Sequence, residues 1–176
     1  MKTIKYLLFF SIFSSLSLLA ASPTSLLPGG LLKGAGKSFQ FEIQKDKVYQ
    51  VVKKIRIFSS KSSGTKSIQE LKVDNFSGVS LQSKIPFKVI DLDEDGFDDI
   101  VLLVETRANG ADYQYFIYSK KEKRYVSLGV FPELKRIKNT SRFEAEEKIS
   151  RDEVEYKTYK LEGDKLHLVE RSNTKN

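Results

Sequence analysis

From residue 39 onward the chain alternates. Phe39, Phe41 and Ile43 are apolar while Gln40, Glu42 and Gln44 are polar, the period of two expected of a half-buried strand. Beyond Lys45-Asp46-Lys47, the positions Val51, Lys53, Ile55 and Ile57 set a similar beat and predict the second arm of a hairpin. Residues 59–67 carry six Ser or Thr together with Gly64, which predicts an exposed loop. A further strand is expected over 68–73 and a turn at Gly78. Two apolar runs, 85–90 and 100–104, flank an acidic segment. Residues 113–118 and 125–130 predict a hairpin across Lys120-Lys121-Glu122-Lys123. Another follows from Val154-Glu155-Tyr156, the turn Glu162-Gly163-Asp164 and the run 166–169. Residues 133–138 predict one helical turn. No sustained helical stripe is present, so the expectation is a single all-β domain over residues 38–172. Its architecture is expected to be an antiparallel β sandwich or an incomplete-propeller-like sheet.

The N-terminus follows different rules. Lys2 and Lys5 precede an apolar run from Tyr6 to Ala21, after which come Ser22 and Pro23. Charge, apolar core and small-residue exit make residues 1–21 a cleavable signal peptide. The run is shorter than the roughly 20 apolar residues needed to span a bilayer, so no membrane span is expected after cleavage. Residues 22–37, with Pro23, Pro28, Gly29, Gly30, Gly34 and Gly36, predict a flexible linker. Gly34-Ala35-Gly36-Lys37-Ser38 superficially resembles a phosphate-binding loop. The required upstream glycine position holds Leu31, and the following residues alternate like a strand, so no nucleotide partner is expected.

Composition narrows the chemistry. The 176 residues include no Cys, no Trp and one His, which removes disulfide scaffolds, thiolate metal sites and cysteine nucleophiles. An exported chain without disulfides suits a bacterial periplasm. The formal charge of +7 becomes +5 once residues 1–21, with two lysines and no acid, are removed. His167 lies between Leu166 and Leu168, so alternation turns it away from them and toward solvent. Tyr113, Tyr115, Phe116, Tyr118 and Tyr125 read as strand residues packing across a hairpin rather than as a ligand platform. The basic run 120–124 lacks interleaved aromatics facing a groove, so no nucleic-acid partner is expected. No nucleophile–base pair or acid–base spacing stands out, and the chain is expected not to be an enzyme.

One segment carries chemistry. Residues 91–99 place six acids in nine positions: Asp91, Asp93, Glu94, Asp95, Asp98 and Asp99. Left unpaired in a tight fold, they would repel strongly. Asp91, Asp93 and Asp95 occupy positions 1, 3 and 5 of a loop. Gly96 permits the sharp turn, Phe97 can offer its backbone carbonyl, and Asp99 closes the shell at position 9. Hard oxygen ligands on a large loop favour Ca2+ over transition metals and Mg2+. The expected metal ligands are therefore Asp91, Asp93, Asp95, Phe97 and Asp99, with Glu94 and Asp98 directed outward. An EF-hand is excluded, since its twelfth position holds Leu102 and both flanks are strand-like.

The pattern D-x-D-x-D-G-x-x-D between two strands resembles the calcium loop of FG-GAP and VCBS-type repeats. Only one copy is present, which excludes a multi-blade propeller made of such units. From Ile85-Pro86-Phe87 through the acidic loop, Tyr115-Phe116-Ile117-Tyr118, Arg124-Tyr125-Val126 and Glu133-Leu134, the chain resembles a family of bacterial periplasmic β domains. That family is similar in fold to periplasmic inhibitors of invertebrate-type lysozyme. It includes immunity proteins against lysozyme-like effectors delivered by type IV secretion. The likeness covers residues 85–170. It implies a periplasmic calcium-binding domain that binds and inhibits a peptidoglycan hydrolase. One departure stands out: the Ser-Gly segments here, Ser63-Gly64-Thr65-Lys66 and Ser77-Gly78-Val79-Ser80, are not followed by the Tyr that those inhibitors insert into the enzyme cleft. The alternative is a carbohydrate- or cell-surface-binding module without inhibitory activity.

Overall fold

The computed structural model of the protein describes residues 24–59 and 66–175. The signal-peptide assignment, and with it the argument for export, lies outside the described residues, as does most of the loop expected at 59–67. Thirteen strands are described, and every pairing is antiparallel. They form three sheets in chain order, so the expectation of an all-β antiparallel domain holds. The first sheet holds β1 (Thr24–Leu32), β2 (Lys37–Lys45), β3 (Tyr49–Ser59) and β4 (Gln69–Lys72), with the short β5 (Val79–Ser80) on the end of β3. The second runs β6 (Phe87–Ile90), β7 (Asp99–Arg107), β8 (Gly110–Ser119) and β9 (Arg124–Pro132). The third holds β10 (Leu134–Arg136), β11 (Arg142–Lys148), β12 (Glu153–Glu162) and β13 (Lys165–Lys175).

The second sheet is the middle layer. Ile100, Leu102 and Val104 of β7, Phe116 of β8 and Tyr125 of β9 pack against Phe39, Phe41, Ile43, Ile55 and Ile57 of the first sheet. The opposite parity, Val101, Tyr115 and Ile117, packs against Leu134, Phe143 and Ala145 of the third. Burial on both faces explains why β7 is an unbroken apolar run rather than an alternating one. Side-chain amides tie the layers laterally. The Gln69 amide donates to Tyr125 O at 2.6 Å and accepts from Tyr125 N at 3.0 Å, imitating a strand pairing. The fully buried Gln114 accepts from Asp74 N and donates to Lys72 O.

Three local expectations fail. Residues 24–32 are not a flexible linker: despite Pro28 and two glycines they pair with β2 from Thr24↔Gln44 to Leu32↔Lys37. A register shift between Pro28 and Gly30 absorbs the irregularity, and proline is tolerated because β1 lies at the sheet edge. The helical turn expected at 133–138 is instead β10, since Leu134 pairs with Ala145 and enters the core. On β3 the beat is not Val51 and Lys53. Ile43 pairs with Val52 and Glu42 with Lys54, which leaves Lys53 as an extra residue. The bulge reverses the parity, so that Val52 is buried and Lys53 is exposed.

Candidate metal centre

The acidic segment is the loop of the β6–β7 hairpin, closed by the pairing of Ile90 with Asp99. Its backbone is folded by its own carboxylates. Asp91 Oδ1 accepts from Asp95 N and Oδ2 from Gly96 N, both at 2.9 Å. Asp95 Oδ1 accepts from Phe97 N at 2.9 Å. These side chain-to-backbone bonds are those Asp makes readily in turns. Glu94 at φ 58° and Gly96 at φ 89° supply the left-handed residues of the turn.

Asp91, Asp93 and Asp99 converge, with one carboxylate oxygen from each lying within 4.8 Å of the others. Asp91 is exposed, Asp93 half-buried and Asp99 buried. Asp99 is fixed on both oxygens, by Leu92 N and by Tyr118 N, each at 2.9 Å. Burial pushes its pKa up to about 7; the two N–H groups oppose this, and the Asp93 and Asp95 charges add to it. Burial likewise pushes Asp93 up to about 6, assisted by the charge of Asp95 and then of Asp91, while the Asp95 N–H opposes it. The folded protein therefore favours the protonated form of both acids, and Arg136 offsets the charge on Asp93 only in part.

Of the other two expected ligands, the Asp95 carboxylate is not grouped with this trio and is engaged by Lys120. Asp95 Oδ2 lies 3.3 Å from Lys120 Nζ, which also donates to Asp95 O. The Phe97 ring stacks on Tyr118 with centroids 4.8 Å apart, and Lys120 Nζ sits 4.9 Å above the Phe97 ring. Glu94 is directed outward toward Arg136, with Oε2 3.4 Å from Nη2. Asp98 differs from its expected outward position: Oδ2 accepts from Lys33 N at 2.7 Å, Asp98 N donates to Lys33 O at 3.2 Å, and Asp98 O accepts from Tyr125 OH at 2.9 Å.

Two turns that the sequence did not connect with the loop thus grip it, one through Lys120 and one through Lys33 and Gly34. Lys120 carries a readable signal, a basic turn on the strand pair next to an acidic one. Lys33 is 65 residues from Asp98, and nothing local announces its approach or that of Gly34. Gly34, at φ 72°, abuts Gly96 O, and a Cβ there would also meet Phe97 Cα at 3.0 Å. Chemically, three convergent carboxylates at a strand junction are hard oxygen donors that could hold a divalent cation of the calcium type. His167 is exposed, as expected, although its neighbour Leu168 is exposed as well.

No family profile matches the chain, and no curated protein matches it. Among solved structures it is similar to a Xanthomonas protein described as related to the type IV secretion system. The alignment covers 85% of this chain and 82% of that one, with 14% identity and a TM-score of 0.58. At that identity the likeness concerns the fold.

Proposed function

We propose that this protein is an exported, calcium-binding β domain that binds a protein partner, a lysozyme-like peptidoglycan hydrolase, and inhibits it. The observation that carries the calcium half is the gathering of Asp91, Asp93 and Asp99 at the β6–β7 junction, two of them raised in pKa by burial in one another's company. Asp95 and the Phe97 carbonyl complete the proposed oxygen set. A bound Ca2+ would supply charge neutralisation and a cross-link between the start of β7 and the loop; recognition belongs to other surfaces. The partner half rests on the resemblance of residues 85–170 to periplasmic lysozyme-inhibiting domains. It also draws on the fold shared with a protein related to type IV secretion. Export rests on residues 1–21.

Isothermal titration of CaCl2 into EDTA-treated, dialysed protein tests the first half. Saturable uptake at one site and a melting temperature raised by Ca2+ are expected; no heat of binding together with an EDTA-insensitive melting temperature overturns it. Co-purification with secreted lysozyme-like hydrolases and a peptidoglycan-clearing assay test the second. Failure to bind or to slow any of them removes the partner assignment.

A further inference from the structure

The end of the first sheet away from the β1–β2 turn is open. Between β1, β2 and the segment leading into β6 lies a groove of about 340 Å³. Leu27, Phe41, Leu81, Ile85 and Phe87 supply its apolar wall. Phe41 and Ile85 are core side chains that reach this surface, while Leu81 is 41% exposed. Two further exposed apolar residues lie beyond the groove. Leu81 N donates to Val48 O at 3.2 Å, and Tyr49 pairs with Ser80, so Val48 and Tyr49 stand beside Leu81. Both are more than half exposed, at 57% and 52%. Leu27, Leu81 and Phe87 gathered around a concave floor of Phe41 and Ile85 have the make-up of an interface centre rather than of ordinary surface.

The rim has one sign. The charged residues lining the groove are Lys45 and Lys84, and neither is engaged in an ion pair among the described residues. Lys47 adds a third positive charge in the β2–β3 turn. The acid of that turn, Asp46, is turned back on its own backbone, accepting from Val48 N and Tyr49 N at 2.7 Å each. An apolar groove with room for a large side chain and with Lys45 and Lys84 on its rim is complementary to a large apolar anchor flanked by carboxylates.

We infer that this groove is the docking surface for the protein partner, and that the partner presents an apolar anchor on an acidic segment. The inference rests on the reading that the chain binds a protein, and it sharpens that reading. A uniformly basic enzyme surface is a poor match, so a hydrolase bound here contacts the domain through an acidic patch.

The test uses the full folded domain, 15N-labelled, and three capped hexapeptides. One carries Phe-Leu between acidic pairs, one carries the same Phe-Leu between lysine pairs, and one carries Ser-Ser between acidic pairs. The acidic Phe-Leu peptide is expected to shift the amides of Leu27, Leu81, Ile85 and Phe87, with an affinity that falls as salt rises. Exchanging Lys45→Glu together with Lys84→Glu is expected to weaken it roughly fivefold or more, and Leu81→Ser to weaken it at any salt concentration. Neither change touches a buried side chain, so unaltered spectra elsewhere verify the fold. Equal binding of the lysine peptide, shifts confined to another face, or binding only to phosphatidylglycerol vesicles overturns the inference. A hydrolase that binds with shifts away from the groove sinks this surface and leaves the proposed function standing. Peptide docking with no hydrolase bound does the reverse.

Discussion

At the scale of single residues, Asp93 and Tyr115 show opposite uses of a polar group among apolar ones. Asp93 accepts a single long bond, from Asp95 N at 3.3 Å, and stands in the field of Asp91 and Asp95. Without a cation its ionised form is a liability. In EDTA, Asp93→Asn is expected to be as stable as the wild type or more so. The sign follows from the raised pKa: the folded state favours the protonated acid, so the wild type loses this contribution as pH rises from 3.8 toward about 6. The advantage of Asn should therefore grow across that window and level off above it. In Ca2+ the order should invert, since the charged carboxylate is a stronger ligand than the neutral Asn carbonyl. Thermal melts at several pH values, with EDTA and with Ca2+, check both signs. Tyr115 is the contrasting case. Its hydroxyl donates to Pro132 O at 3.1 Å and accepts from Leu134 N at 2.8 Å, bracketing the crossing from β9 to β10. Tyr115→Phe leaves the buried Leu134 N–H without an acceptor, at a cost of about 1–3 kcal/mol. Calorimetry should show the melting temperature lowered by roughly 2–4 °C per kcal/mol.

At the scale of elements, the β1–β2 hairpin is where sequence and structure part most. A stretch with Pro28, Gly29 and Gly30 has the composition of a linker, and composition is silent about a partner strand. What makes it a strand is the neighbouring edge of β2, together with Leu32, which is buried in the main core. β10 escaped for a related reason: three residues are too few to show a period, and the pairing of Leu134 with Ala145 decides the outcome. The acidic loop was legible because it is local. Its turn glycine, its self-bonding aspartates and the convergence of Asp91, Asp93 and Asp99 all arise within nine positions. The clamp on it was not, because it joins Lys33 to Asp98 across two sheets. The clamp makes a testable link between these elements. Gly34→Ala places a side chain at positive φ and drives its Cβ into Gly96 O, and is expected to cost about 1–3 kcal/mol. Amide exchange should rise in both segments, 33–37 and 95–98, although the change lies in only one of them. Faster exchange confined to 33–37 would show that the two do not move together.

At the scale of the whole molecule, the parity of β7 held more information than its apolar character alone. Ile100 through Val104 is apolar at both odd and even positions, and a strand of that kind must be covered on both faces. The expectation of a β domain follows from such runs. The order of the layers does not, because the covering sheets lie far away in sequence on either side. The stack has an energetic consequence. Leu102 is fully buried against the first sheet and Ile117 nearly so against the third, yet both belong to the middle layer. Neither outer sheet can leave without exposing one face of that layer. A cavity in either core is therefore expected to weaken the whole domain rather than its own half. Leu102→Ala and Ile117→Ala should each lower the unfolding free energy by about 2–5 kcal/mol, and the urea transition should remain single. Tyrosine fluorescence reports both cores, the first through Tyr118 and Tyr125 and the second through Tyr113, Tyr115 and Tyr159, while far-UV circular dichroism averages all three sheets. Their coincidence in both variants is the expected result, with an unchanged dependence on urea. Separation of the two signals in Ile117→Ala alone would mean that the third sheet detaches first. The middle layer would then be held by the first sheet on one face only, and the shared strands would not bind the stack into one cooperative unit.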